Sequence, residues 1–280
     1  MTGHSYDVAI AYRIYPRVSK SPFVFPDDKF RLSEVCLKSF KASLGTLKIK
    51  VWALLDGCPP EYEELFRRHF NDQELELVRM DGVGNAATFA KQVEILSNQN
   101  LAEYVYFAED DYFYLPNQFS RLLNFLARHE DADFVSAYDH PGHYARGISY
   151  HRNYLRIFEG RHWRSSSSIC LTFLTRKSTL RACRKVFQTF TRGNYDASIW
   201  MSLTKYHVGN PVLIFQYVIS DVSAFKSIVK AWLFCWRQIV FGKRRTLWIP
   251  VPAIATHMER DFMAPVIDWP NIIREVAGNA

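Results

Sequence analysis

Four apolar runs, with helical stripes between them, govern the first 116 residues and leave few folds open. "DVAIAYRI" (7–14) is a buried strand. It leads into "KFRLSEVCLKSFKASLG", where Leu32, Cys36, Phe40 and Leu44 fall four apart and Gly45 closes the helix. "KIKVWALLDG" (48–57) alternates at first and stops at Asp56-Gly57, a strand with a turn after it. "PPEYEELFRRHF" opens on prolines suited to a first helical turn and puts Tyr62, Leu65, Phe66 and Phe70 on one face. "LELVRM" (75–80) is a third strand, a helix follows from Asn85 through Phe89, Val93 and Leu96, and residues 104–108 are a fourth strand. Four strands alternating with three helices predict an α/β fold with a largely parallel sheet flanked by helices. Ligands of such sheets collect beyond the carboxyl ends of the strands. Asp56, Gly82–Asn85 and Glu109–Asp111 are therefore expected along one edge.

Beyond residue 116 the pattern is less regular. A helix is expected from Pro116 through Phe119, Leu122, Leu123 and Leu126. "ADFVSAYDH" and "ICLTFLTR" read as strands, "STLRACRKVFQTF" and "DASIWMSLTKYH" as helices. No repeat, low-complexity tract or linker interrupts the chain, so one compact domain over 1–280 is expected.

At the end of the fourth strand the chain runs "YVYFAEDDYFYLP", placing Glu109, Asp110 and Asp111 side by side. Adjacent carboxylates repel, and something positive is expected to meet them. A polar loop facing water would satisfy them. A divalent cation, Mg²⁺ or Mn²⁺, bound through hard oxygen ligands and a phosphate-bearing substrate, would do so as well. A rival reading comes from "GVGNAA" (82–87), a G-x-G-x-x-A turn between strand and helix, with Glu109 in range of a dinucleotide ribose. That turn normally follows the first strand, whereas here it follows the third, and a ribose needs one carboxylate, not three.

The order of strands and helices, the G-x-G-N helix start and the acidic triplet together resemble the nucleotide-sugar half of GT-A-fold (Rossmann-like) glycosyltransferases. "FAEDDYFYLP" is similar to the D-x-D-type metal run of the family that contains bacterial polysaccharide and lipopolysaccharide transferases. The resemblance covers residues 7–116. It implies a donor and metal half over 1–116 and an acceptor half over 117–280. It also implies that Tyr12 and Arg13 lie against the nucleotide base, that Asp56 accepts from base or ribose, and that Asn85 sits beneath the sugar phosphate. Asp111 would be the direct metal ligand, with Glu109 and Asp110 nearer the donor ribose and sugar. The first position of the motif is Glu109, one methylene longer than Asp, and it touches either metal or donor hydroxyls.

Transfer to an acceptor hydroxyl needs a general base. Asp196, in "RGNYDASIW", opens a helix after the metal strand, where the resemblance expects that base; a helix cap is the competing role. His257 ends the apolar run of "PAIATHMER". The resemblance implies that such a histidine completes the metal or diphosphate site, against the plain alternative of a satisfied core histidine. Between 139 and 164 stand Arg146, Arg152, Arg156, Arg161 and Arg164, followed by "RSSSS" (164–168). Arg161, Arg164 and Ser166 are candidates for holding an acceptor or diphosphate. Residues 225–245, "FKSIVKAWLFCWRQIVFGKRR", form either a core helix with charged ends or an amphipathic segment on an anionic membrane.

The net charge of +7 suits an anionic ligand or surface. Five cysteines without CxxC spacing point to a reducing compartment, and neither a leader nor a spanning segment is legible. A cytoplasmic location is expected, or a peripheral one on the inner face of the cell membrane. No nucleic-acid motif accompanies the charge. The expected activity is a metal-dependent, inverting glycosyl transfer, hexosyl or related, from a nucleotide-diphosphate sugar to a glycan or lipid-linked acceptor. A non-catalytic sugar- or membrane-binding module and a dinucleotide-dependent enzyme are the alternatives.

Overall fold

The structure, a computed structural model, describes residues 4–18, 21–144 and 153–278. The first half runs β1 (Val8–Ile14), α1 (Lys29–Leu44), β2 (Ile49–Asp56), α2 (Glu61–His69), β3 (Leu75–Met80), α3 (Asn85–Asn98) and β4 (Tyr104–Glu109). A short β5 (Tyr112–Tyr114), α4 (Phe119–Arg128) and the two-residue β6 (Phe134–Val135) follow. The second half adds β7 (Leu155–Phe158), β8 (Arg161–Ser165), β9 (Phe173–Arg176), α5 (Lys177–Phe187) and α6 (Asp196–Thr204). It ends with α7 (Pro211–Ser220), α8 (Val222–Phe241), β10 (Leu247–Val251), β11 (Ala255–His257) and α9 (Trp269–Gly278).

Nine strands form one sheet in the order β3-β2-β1-β4-β9-β6-β10-β8-β7. The block β3-β2-β1-β4 is parallel throughout, as the alternation of strands and helices requires. β9 joins β4 antiparallel, β6 and β10 pair parallel, and β10, β8 and β7 extend the sheet antiparallel. The fold class is thus the expected α/β sheet flanked by helices. A separate antiparallel pair, β5 with β11, sets His257 opposite Tyr112.

Helices bury both faces of the sheet, which is why its central strands are apolar on both sides. On one face α1 and α2 enclose Tyr12, Phe40, Phe66 and Tyr106. On the other, Phe89 of α3, Phe187 of α5 and Trp200 of α6 close over Phe107 and Phe173, whose rings stack at 4.5 Å. Each such ring contributes roughly 1.5–3 kcal/mol by leaving water. α1 ends at Gly45 with φ 59°, a left-handed conformation that glycine adopts without a Cβ penalty.

Strand geometry corrects the expectation for Tyr12. Successive side chains of a strand point to opposite faces, so only one of Tyr12 and Arg13 can reach the α3 side. That one is Arg13. Tyr12 is fully buried between Phe40 and Phe66, its ring edge-on to Phe66 at 5.4 Å. It cannot meet a nucleotide base. Its hydroxyl is buried with no hydrogen-bond partner among the described residues, which costs stability. Tyr12→Phe is therefore expected to raise the urea-unfolding free energy by about 1 kcal/mol and to leave nucleotide binding unchanged. A loss of nucleotide binding in this variant would return Tyr12 to the site.

Candidate functional site

The carboxyl ends of β1, β2 and β4 open onto a cavity of about 360 Å³. Arg13 and Glu109 are cross-strand neighbours in the β1–β4 register, and the guanidinium pairs directly with Glu109 Oε1. The same guanidinium donates to the Asn85 side chain and, at 3.2 Å, to its carbonyl. Thr172, just before β9, donates to the other Glu109 oxygen. One buried cation so locks two strands to the first residue of α3. A cation at a helix N-terminus opposes the helix dipole, and Glu109 offsets it.

Asp110 is met by Lys29, the first residue of α1, at 2.8 Å, and by the backbone N–H of Tyr15 at 3.1 Å. Burial acts to lower the Lys29 pKa, but the charges of Asp110 and then Asp111 outweigh it, and the pKa rises. Asp111 Oδ2 lies 3.2 Å from His257 Nε2. The Met258 N–H also donates to the Asp111 carbonyl at 2.9 Å, fixing β11 beside the triplet. Burial pushes the Asp111 carboxyl up, yet His257, Lys29 and Arg13 overcome that and hold it at about 2. Its second oxygen, Oδ1, is buried and has no partner among the described residues. With the ring placed so that Nδ1 accepts the Glu259 N–H at 3.0 Å, the His257 proton sits on Nε2 and faces Asp111. In that tautomer His257 is a donor to Asp111, not an open metal ligand.

The turn before α3 is built on Gly82 and Gly84, with φ of 67° and 83°. A Cβ on Gly57 would come within 3.3 Å of the Gly82 backbone, so the two turns pack glycine to glycine. Both Asp56 oxygens accept from this turn, from Val83 N at 2.7 Å and Gly84 N at 2.8 Å. Asp56, expected to receive base or ribose, lines the cavity, and each of its oxygens already accepts from this turn. Those amides are equally committed, so they cannot cradle a pyrophosphate as a dinucleotide fingerprint would.

Charged and aromatic residues of the cavity that the sequence did not single out are Tyr15, Arg17 and Lys29. Tyr15 and Arg17 stand exposed at the lip, and Lys29 is nearly buried beneath it. The signal for Lys29 was its register. It precedes Ser33, Cys36 and Phe40 on the inward stripe of α1, an unfavourable place for a cation unless an acid waits there.

Asp196 is the first residue of α6 and accepts the Ala197 N–H at 2.6 Å. It lines a second, smaller cavity of about 140 Å³ with His140, His143 and Cys170. Burial, then the charge of Glu109, raises its pKa. Thr172, bonded to Glu109, lies two residues from Cys170, and the charges of Glu109 and Arg13 act on Asp196, so this cavity borders the triplet.

The acceptor candidates fare differently. Arg161 donates to the Pro252 carbonyl and, at 3.5 Å, to that of Ala253, across the outer sheet. Arg164 is buried against Asp139 and lies over the Tyr144 ring at 5.1 Å. The Ser166 hydroxyl is buried and donates to the Ser168 carbonyl at 2.8 Å. Arg156 pairs with Asp131 at 2.6 Å. These side chains are held by the fold, because the antiparallel edge β7-β8-β10 turns them onto local acids and carbonyls. Arg146 and Arg152 lie outside the described residues. Among the described residues no three His, Cys, Asp or Glu side chains form a metal cluster. Within the triplet, Asp111 Oδ1 is the carboxylate oxygen that is both buried and without a partner among the described residues.

No protein-family model matches the chain, and no curated protein does. Solved structures show distant likeness, and three of them illustrate it. The 4-diphosphocytidyl-2C-methyl-D-erythritol synthase of Anaerococcus prevotii DSM 20548 is similar at 7% identity over 72% of this chain and 84% of that one, with a TM-score of 0.44. S. aureus TarS (residues 1–349) is similar at 11% identity over 84% and 81%, with a TM-score of 0.47. The mannosyltransferase PcManGT of Pyrobaculum calidifontis, solved with GDP-Man and Mn²⁺, is similar at 16% identity over 48% of this chain and 35% of that one, with a TM-score of 0.35. Likeness this distant bears on neither substrate nor mechanism.

Removing one member of a buried ion pair leaves the other uncompensated. Lys29→Met is expected to cost about 3 kcal/mol in urea unfolding, and Lys29→Met with Asp110→Leu to recover most of it. A double-variant loss equal to the sum of the separate Lys29→Met and Asp110→Leu losses would mean that the pair is not coupled.

Proposed function

We propose that the chain is a metal-dependent glycosyltransferase that uses a nucleotide-diphosphate sugar. The observation that carries this reading is the unpartnered, buried Oδ1 of Asp111 in a triplet whose other two acids are already neutralised by Arg13 and Lys29. A buried carboxylate oxygen without a donor is costly, and a hard cation relieves it. Mg²⁺ and Mn²⁺ suit a site of one protein carboxylate completed by substrate phosphate oxygens. Such an ion held by Asp111 would stabilise charge on a departing nucleoside diphosphate. His257, donating to Oδ2, orients Asp111 for that task as an outer-sphere partner.

The residues of the chain divide the remaining work. Tyr15 offers an exposed ring at the lip for a nucleotide base, the place once expected for Tyr12. Arg13 and Lys29 keep Glu109 and Asp110 fixed beside the sugar. Asp196 takes the proton of the acceptor hydroxyl as its oxygen bonds to the anomeric carbon and the bond to diphosphate breaks, a single displacement with inversion. Its raised pKa brings the carboxylate closer to the working pH of a base. The acceptor is a glycan or a lipid-linked sugar; the latter would require work at a membrane surface. The dinucleotide alternative lacks support, since its phosphate-binding amides are taken by Asp56.

Calorimetric titration with UDP and GDP, with and without Mn²⁺, is expected to show metal-dependent binding that Asp111→Asn abolishes. Binding indifferent to the metal would sink this reading. Asp196→Asn is expected to lower kcat by about 10²–10⁴-fold with donor binding intact. In the wild type, kcat/KM should fall as pH drops through a limb above the ordinary carboxylate value of about 4. A raised carboxyl pKa destabilises the fold above that pKa, where the buried group must carry charge, and not below the unfolded value. Asp196→Asn should therefore melt at a higher temperature than wild type at neutral pH, a gain absent in acid.

A further inference from the structure

The α7–α8 hairpin carries an apolar face that stands exposed among the described residues. The inward side of α8 is buried through Ala224, Ile228, Ala231, Cys235 and Ile239, as a packed helix requires. Its outward side is also apolar. Before the kink at Cys235, Val222, Val229 and Leu233 recur at spacings of seven and four, and after it Trp236 and Val240 are four apart; all five stand exposed, Leu233 at 70%. Phe241 continues the stripe at 79%. α7 adds Val212, Phe215, Val218 and Ile219 on its own exposed side, Phe215 at 66% and Ile219 at 73%. A helix apolar all round is normally enclosed, and one exposed patch of this kind marks a binding surface. Among the described residues no helix is long and apolar enough to cross a membrane.

Charge identifies the occupant. Residues 211–245 hold six cations and a single acid, Asp221. Lys226 and Arg237 are exposed beside the apolar stripe of α8, and Lys243 and Arg244 are exposed just past its end. An apolar stripe with Trp at its margin and cations along one flank fits the interface of an anionic bilayer. A second copy of the chain fits badly, because a two-fold contact would set these cations against themselves.

We infer that the α7–α8 hairpin lies in the plane of an anionic membrane surface, with Leu233, Trp236 and Phe241 among the acyl chains and Lys226, Arg237 and Lys243 at the headgroups. The same helix reaches the candidate base. Lys230 Nζ donates to the Gly193 carbonyl at 2.5 Å and lies 3.5 Å over the Tyr195 ring, in the turn that presents Asp196. The membrane plane thus passes beside Asp196. Given the transferase reading, and only given it, the acceptor is carried by that membrane.

The test is flotation of the full chain with phosphatidylcholine vesicles, with and without phosphatidylglycerol. Wild type is expected to float with the anionic vesicles and to be released by high salt. Leu233→Glu with Phe241→Glu should weaken vesicle binding about tenfold or more, while Lys226→Glu with Arg237→Glu should remove the preference for phosphatidylglycerol. Both variants should keep wild-type circular dichroism. Equal flotation of wild type and the apolar-face variant would overturn the inference, as would failure of wild type to float. So would a lipid-free dimer, seen by light scattering, that Phe241→Glu turns into a monomer. Metal-dependent nucleotide binding, measured separately, fails or survives independently of these outcomes.

Discussion

Three consecutive carboxylates at the end of a buried strand must be supplied with partners before that strand can be buried at all. Glu109, Asp110 and Asp111 take theirs from three distant places: Arg13 on β1, Lys29 at the start of α1 and His257 at the end of β11. Buried ion pairs contribute little net stability over apolar packing, but a misplaced partner is costly. The triplet therefore acts less as glue than as a gauge of correct assembly. It accepts only the arrangement in which β1 lies beside β4, α1 starts over the cavity, and the last third of the chain returns to pair β11 with β5.

The first half of the fold was legible because its strands are central and parallel. Such strands read as continuous apolar runs, and the helices between them carry plain stripes at spacings of three and four. The same property hid the face of each residue. In "VAIAYRI" nearly every position is apolar and all seven are buried, so the run does not announce that Tyr12 turns to α1 while Arg13 turns to α3. The site was legible as a place, since strand ends and glycine turns mark it, and illegible as a set of partners. Asp56 looks like a ligand-binding acid until the turn at Val83 and Gly84 is seen to occupy it.

Beyond residue 116 the sequence offered less because its strands are only two to five residues long. That is too short for a period to show. Their pairings also span long separations: β8 meets β10 some eighty residues on. Arginines on such strands look like a free cationic cluster in the sequence, yet Arg156 and Arg164 belong to Asp131 and Asp139. Exposure, the decisive property of the α7–α8 face, is likewise invisible to a hydropathy pattern, which cannot tell a helix buried on both sides from one left bare on one.

The charge balance of the cavity bears on how a donor would enter it. Arg13 is spent on Glu109 and Lys29 on Asp110, so neither cation is free to neutralise an incoming diphosphate without stranding a buried acid. The half of Asp111 that remains open is itself negative. A nucleoside diphosphate alone meets the exposed Arg17 at the lip and, deeper, the residual anionic oxygen of Asp111. A divalent ion alone meets that carboxylate without the phosphate oxygens that would complete its shell. Each supplies what the other lacks. Under the proposed function, metal and nucleotide must raise one another's affinity by the same factor, as thermodynamic linkage requires. The tight internal pairing of the triplet is then the reason that the site waits for both.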